Sequence, residues 1–194
     1  MKKNLVTAIL MTIATTIMLG VIYPLAITVI SQLILPSQAN GQLIQHDGKN
    51  IGSRIIGQAF SGPGYFRSRP SAAGNGYDAA NSGGTNLGPT NQKLIDRVQQ
   101  DSRSLQAENP TGRIPIDMVT TSASGLDPHI SPGAAEFQVS RVARERGMSE
   151  DLLRQLIMKH TEGRQLGFLG EPRVNVLELN LDLDLTHSQQ KAKP

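Results

Sequence analysis

Ser82-Gly83-Gly84-Thr85 is the stretch of this sequence best suited to hold a ligand. Successive glycine amides can turn inward as an anion-binding nest, and Pro89 just beyond opens a helix whose N-terminus is electropositive. The competing reading is mechanical: paired glycines let the backbone turn tightly and lie against a neighbouring subunit. A second chemistry sits in Tyr65-Phe66-Arg67-Ser68-Arg69-Pro70, where two aromatic anchors flank guanidinium forks matched to carboxylates. The same arginines would serve equally as internal pairs that pin a long loop to its own domain. Asp127-Pro128-His129 sets a carboxylate beside an imidazole, although the intervening proline suits a fixed turn better than a catalytic or metal pair. Asp78, Asp127, Asp182 and Asp184 would concentrate cations if they faced one site. A solvated strand face accounts for Asp182 and Asp184 as well.

Catalytic frameworks of other kinds are missing. The four histidines, His46, His129, His160 and His187, are scattered, and no His-Glu-x-x-His pattern is present to hold zinc, so no metal site is assigned. The only Gly-Lys pair is Gly48-Lys49, followed by Asn50, which rules out a Gly-x-x-x-x-Gly-Lys-Ser/Thr phosphate loop. No Gly-x-Ser-x-Gly elbow occurs. Cysteine is absent, which excludes disulfide staples, thiolate catalysis and thiolate metal sites.

These residues are carried behind a membrane anchor. From Asn4 to Gln45 there is no Asp, Glu, Lys or Arg, and Leu5 to Leu35 is almost wholly apolar. A helix needs about 20 apolar residues to cross a hydrocarbon layer about 30 Å thick, so residues 7–35 are read as a transmembrane helix. Lys2 and Lys3 are the only charges ahead of it; basic flanks stay cytoplasmic, which puts residues 1–6 inside and everything after Pro36 outside. A cleaved signal peptide, with Ser37-Gln38-Ala39 as its cleavage site, is the rival, but an h-region runs only about 7 to 15 residues. A type IV pilin stem would want an early acidic residue, and there is none. Thr12, Thr16 and Gly20 recur at a spacing of four on one face, which fits either close approach of a partner helix or tolerance of threonine by lipid. Pro24 removes one backbone donor and predicts a kink or loosening of the helix.

Residues 36–185 are about the length of one domain. All sixteen acidic residues and all the basic ones except Lys2 and Lys3 follow the apolar run, so this part is nearly neutral. With no Trp, three Tyr, four Phe and no basic stripe, the pI of 9.4 carries no argument for nucleic acid. Gln42–Gln45 and Asn50–Ala59 flank Asp47-Gly48-Lys49-Asn50 and predict a β-hairpin. Gly57–Gly88 holds eight of the nineteen glycines and reads as a long fixed loop. A helix is predicted to be opened by Pro89 and Thr90 or Asn91, with Leu94, Ile95, Val98 and Leu105 on one face, and to close at Asn109-Pro110. Ile114–Val119 alternates like a short strand. Ser131-Pro132 opens a helix to about Arg146, ended by Gly147, and Ser149 caps another reaching Lys159-His160. Val174, Val176, Leu177, Leu179, Leu181 and Leu183 alternate with polar residues and predict a half-buried strand. Residues 186–194 read as a polar tail. The fold class is therefore α+β: a single N-terminal transmembrane helix followed by one extracytoplasmic α+β domain.

Four blocks carry a resemblance: Tyr65 to Ala72, Ser82 to Asn91, Ser122 to Ser131, and Arg173 to Asn180. In this order, behind an anchor in this place, they resemble the C subunit of the Kdp-type potassium-transporting ATPase over nearly the whole chain except the last dozen or so residues. The resemblance implies a bacterial inner-membrane potassium importer in which an A subunit conducts the ion, a P-type B subunit hydrolyses ATP and a small F subunit stabilises them. It also implies that this chain is an accessory subunit acting as a catalytic chaperone that raises the pump's affinity for ATP. In that family the Ser82–Thr85 stretch, with Gln92 nearby, has been likened to the signature loop of ABC transporters. An outward-facing domain does not meet ATP, so direct contact needs either the opposite orientation or coupling through the membrane helix. The residues agree that this chain is not the ATPase itself: none of its aspartates stands in the Asp-Lys-Thr context of a phosphorylated P-type pump. ATP and potassium are thus expected only at the level of the complex, with no cofactor on this chain. The remaining alternative is a free-standing anchored protein binding a small anion at Gly83-Gly84.

Overall fold

A computed structural model describes residues 2–46 and 48–191, and the chain divides into two compact units, Met1–Ile51 and Gly52–Pro194.

The first unit is a continuous run of 33 helical residues from Lys2 to Ile34. It comprises α1 (Lys2–Ile17), a π-helical turn (Met18–Ile22) and α2 (Tyr23–Ile34). At about 1.5 Å per residue this run exceeds the thickness of a hydrocarbon core. The wide turn is the outcome of Pro24. Because proline has no N–H and its ring crowds the carbonyl four residues back, the ladder shifts, and Tyr23 N–H donates to Met18 O. The hydroxyls of Thr7, Thr12, Thr15 and Thr28 each donate to the carbonyl four residues earlier, at 2.8–3.0 Å, so these side chains bring no unpaired donor into an apolar surface. The helix ends at Leu35, and Pro36 starts a single turn, α3 (Pro36–Ala39). Gln32 and Asn40 exchange side-chain amide hydrogen bonds of 3.3 and 3.2 Å, which clip α3 to the end of α2. The predicted hairpin is present as β1 (Leu43–His46) and β2 (Lys49–Ser53), shorter than expected on its second arm; Asp47 of its turn lies outside the described residues.

In the second unit, α4 (Gln92–Glu108) is capped by Asn91, whose side chain accepts from Lys93 N–H. After β3 (His129–Ile130), α5 (Pro132–Arg146) is capped by Ser131 and closed by Gly147 at φ 63°. Ser149 caps α6 (Glu150–Lys159). α5 and α6 begin and end where their cap residues predict, whereas α4 starts only after Asn91, with Pro89 and Thr90 forming a turn ahead of it. Then follow β4 (Thr161–Glu162), β5 (Arg173–Asn175) and α7 (Val176–Lys191). The strands form an antiparallel sheet in the order β3-β5-β4, pairing Ile130 and Thr161 with Val174. Val174, Val139, Val142, Leu153, Leu179 and Leu183 are buried together where α5, α6 and α7 pack over it.

Two expectations fail. The strand expected from Val174 to Leu183 stops at Asn175 and continues as α7, which also takes in Thr186–Lys191, residues read as tail; residues 192–194 lie outside the described residues. Val176, Leu179, Asn180 and Leu183 are buried at helical spacing, whereas Leu185 is 52% exposed, so the two-residue alternation is incidental. Asn175 accepts from Glu178 N–H at 3.2 Å and starts the helix; Asn175-x-x-Glu178 was the capping signal. The strand expected at Ile114–Val119 is a 3-10 turn, Ile116–Met118. Pro115 precedes it, and the Asp117 carboxylate accepts from Ser131 N–H and Oγ–H at 2.7 and 3.2 Å, tying the turn to the start of α5.

Candidate functional site

The Gly57–Gly88 loop has little regular structure and is nonetheless fixed, because side chains of α5 and α7 supply its hydrogen bonds. Asn180 of α7 receives Phe66 N–H at 2.9 Å and donates to Phe66 O at 2.8 Å, while the Phe66 ring is fully buried. Gln138 of α5 grips Arg67 in the same way, at 2.8 and 3.1 Å. Each amide replaces a β-strand neighbour for one residue. Arg141 donates to the carbonyls of Pro63 and Tyr65 and pairs with Glu108, its Nε 3.1 Å from the carboxylate. Burial pulls the Arg141 guanidinium below its usual pKa, and Arg67 adds repulsion, with Glu108 acting in the opposite direction. Arg146 lies 4.4 Å over the Tyr65 ring, donates to Gly64 O and to Asp184, and Tyr65 Oη donates to Asp184 as well.

The two loop arginines therefore have partners inside the unit. Arg67 meets Glu108 at 2.5 Å. Arg69 meets Asp127 at 3.1 Å and donates to the carbonyls of Thr120 and Thr121. Asp127 also accepts from His129 N–H at 3.0 Å, in the turn that Pro128 fixes. Burial pushes the Asp127 carboxyl up, but the hydrogen bonds from His129 and the Arg69 charge outweigh it and hold it below the usual carboxylate range. Tyr77 donates to Arg69 O, and burial raises its phenol above the ordinary value. A groove of about 310 Å³ runs beside these groups, lined among others by Phe60, Arg67, Arg69, Tyr77, Leu105 and Met118.

Ser82, Gly83, Gly84 and Thr85 lie along the 122–125 segment. Ser82 Oγ and Gly83 N–H both donate to Ser124 O at 2.9 Å. Neither Gly83 nor Gly84 has a positive φ, as the alternating conformations of a nest would require. A Cβ on Gly84 would stand 3.0 Å from Ala123 O, and one on Gly125, at φ 67°, would stand 2.6 Å from Ala73 N. Close backbone approach is what these glycines provide. Gln92 opens α4 and donates its amide to Asp96 at 2.7 Å.

The acidic residues are dispersed. Asp78 caps a short 3-10 turn, Asp182 accepts from Lys159 and His160 at 2.7 and 2.8 Å, and Asp127 and Asp184 have the partners given above. No group of three or more His, Cys, Asp or Glu side chains suited to a metal ion is gathered among the described residues. On the anchor, Thr12, Thr16 and Gly20 are exposed, and a Cβ on Gly20 would meet only Thr16 Cγ2 at 3.9 Å, leaving open space on that face.

Most of this architecture, from the apolar helix into α7, answers to one family model: residues 5–185 match KdpC, described as the c chain of the K+-transporting ATPase. The chain belongs to the KdpC family. It is 70% identical over 186 residues to the potassium-transporting ATPase KdpC subunit of Koribacter versatilis (strain Ellin345), covering 96% of each. It is 54% identical over 196 residues to the KdpC subunit of Rhodopseudomonas palustris (strain BisB18), covering 95% of this chain and 98% of the relative. The KdpC subunit of Acidobacterium capsulatum is likewise 54% identical, over 185 residues, with 95% and 100% covered. Membership of the KdpC family makes this chain a component of a potassium-transporting ATPase rather than the catalytic subunit.

Within this KdpC chain, sequence reasoning missed the residues that hold the long loop. Asn180 was read as part of the polar face of a strand and Gln138 was assigned no role on its helix; they lie 114 and 71 residues from their partners, and a polar residue at a core position was their only signal.

Proposed function

We propose that this chain is the accessory C subunit of a high-affinity, ATP-driven potassium importer, needed for assembly with the ion-conducting A, ATP-hydrolysing B and small F subunits. It acts as a catalytic chaperone: its presence raises the affinity of the B subunit for ATP, without binding nucleotide itself. The observation that carries this reading is the match to the KdpC family over residues 5–185. The geometry of Ser82–Thr85 supports the indirect form, since Gly83 N–H is already committed to Ser124 O and Gly84 lies against the Ala123 backbone. A subunit shifts the pump's equilibrium only by preferring one conformation, and contacts suffice for that.

The chain sits in the bacterial inner membrane by one span, with Lys2 and Lys3 cytoplasmic and the α+β unit outside. Protease added to spheroplasts digests that unit if so; protection contradicts the orientation. The open Thr12-Thr16-Gly20 face packs against a partner span.

The test is ATP-dependent hydrolysis by the mild-detergent complex with and without this chain. Loss of the chain raises the ATP concentration needed for half-maximal hydrolysis, and the chain purified alone hydrolyses none. An unchanged ATP dependence contradicts the chaperone role.

A further inference from the structure

Between β4 and β5 the chain makes an excursion, residues 163–172, that contributes no side chain to the hydrophobic core. It closes on itself: Gln165 and Leu169 exchange backbone hydrogen bonds of 2.9 Å, and Phe168 N–H donates to Gln165 O at 3.2 Å. Leu166 and Gly167, at φ 53° and 81°, are the two central residues of this turn. Consecutive positive φ values mark the hairpin turn that normally takes Asn-Gly or Gly-Gly. Leucine there is unfavourable in conformation and also in solvent, because Leu166 is 83% exposed. Phe168 and Leu169 beside it are 69% and 48% exposed. Arg164 Nη2 spans both oxygens of Glu171 at 3.0 Å and holds the base of the hairpin. The result is a firm apolar tip.

We propose that this hairpin is a docking tip that inserts Leu166 and Phe168 into an apolar recess, uncharged at its rim, on another subunit of the transporter. The inference rests on the subunit reading above. Charge argues against a lipid surface as the occupant. An interfacial tip gains from basic residues facing anionic headgroups, but here Arg54, Arg164 and Arg173 are matched by Glu162, Glu171 and Glu178 through ion pairs of 2.5–3.1 Å. Area argues against a second copy of this chain. Three side chains fall far short of the roughly 800 Å² per partner that a self-standing interface needs. A small apolar contact suffices when the partner is already held nearby, and a membrane span shared within one complex supplies that high effective concentration.

The test places a photoreactive benzoyl-phenylalanine at Phe168 of the full chain, co-expressed with the other pump subunits, and irradiates the membranes. A covalent adduct to another subunit, identified by mass spectrometry, is expected. An adduct only to lipid, an adduct only to a second copy, or no adduct although the subunits co-purify overturns the docking tip and leaves the subunit reading standing. If no pump subunit co-purifies with the unmodified chain, both readings fall. A double substitution, Leu166→Ser with Phe168→Ser, gives a second reading because neither side chain is part of the core. Recovery of the other subunits should drop about tenfold at unchanged thermal stability of the chain. Undiminished recovery overturns the tip.

Discussion

The loop from Gly57 to Gly88 and the hairpin from Gly163 to Pro172 are both rich in glycine, and both contain phenylalanine. Phe66 of the first is fully buried and Phe168 of the second is 69% exposed. The first loop has its backbone polar groups satisfied by amide and guanidinium side chains from α5 and α7. The hairpin pairs its own backbone, through the Gln165–Leu169 bridge and the bond from Phe168 N–H to Gln165 O, above a side-chain pair of Arg164 with Glu171. A loop whose hydrogen bonds come from the core is part of the core in energetic terms. One that is self-sufficient is free to present side chains outward.

The largest effect expected from this contrast is at Phe66. Phe66→Ala should destabilise the chain by about 3–5 kcal/mol, since it empties a filled site beneath the loop. Thermal unfolding of the detergent-solubilised chain measures it, and a loss below about 1 kcal/mol would mean the loop is only laid on the surface.

Asn180→Leu comes next. It keeps the volume but strands Phe66 N–H and C=O without partners, and unsatisfied buried groups cost about 1–3 kcal/mol each. A loss of about 3 kcal/mol and faster proteolysis within residues 57–88 are expected. A neutral result would show that water replaces the amide and that the clamp is dispensable.

The Arg69–Asp127 pair gives a smaller, pH-dependent effect. Asp127 is held below its ordinary value of 3.8, so its contribution is fully present above that pH and is lost as the pH falls through the lower, folded-state value. Asp127→Asn should cost about 1 kcal/mol at neutral pH and flatten the acid limb of the stability curve below about pH 4. An acid limb identical to that of the unmodified chain would place the acid sensitivity elsewhere.

Smallest of all is the hairpin. Leu166→Ser with Phe168→Ser should leave the unfolding temperature unchanged within about 0.5 kcal/mol, because exposed side chains off the core contribute little. A large loss would erase the distinction between the two loops.

Legibility in the sequence followed the same division between local and distant interactions. Asn91, Ser131-Pro132, Gly147 and Ser149 act within one turn of their own position, so α4, α5 and α6 were readable residue by residue. The stretch Val174–Leu183 was misread because leucines at every second position satisfy a strand pattern and a broad helical face at once; the cap at Asn175 with Glu178 was the deciding local signal. Nothing local announces that Asn180, Gln138 or Arg141 reaches a loop far back along the chain. Gly84 was recognisable as a tight position, but only the approach of Ala123 O shows what it is tight against, and nothing local marked Gly125, which lies against Ala73 N. The 163–172 hairpin left a trace that went unread: Leu166, Phe168 and Leu169 set among Gly163, Gly167 and Gly170, apolar residues where a turn is normally polar.

The claim that this chain acts on the pump without touching nucleotide is tested most directly by photolabelling the intact complex with azido-ATP. Labelling of the ATP-hydrolysing subunit, with this chain spared, is the predicted result. ATP-competed labelling within Ser82–Gln92 would contradict it.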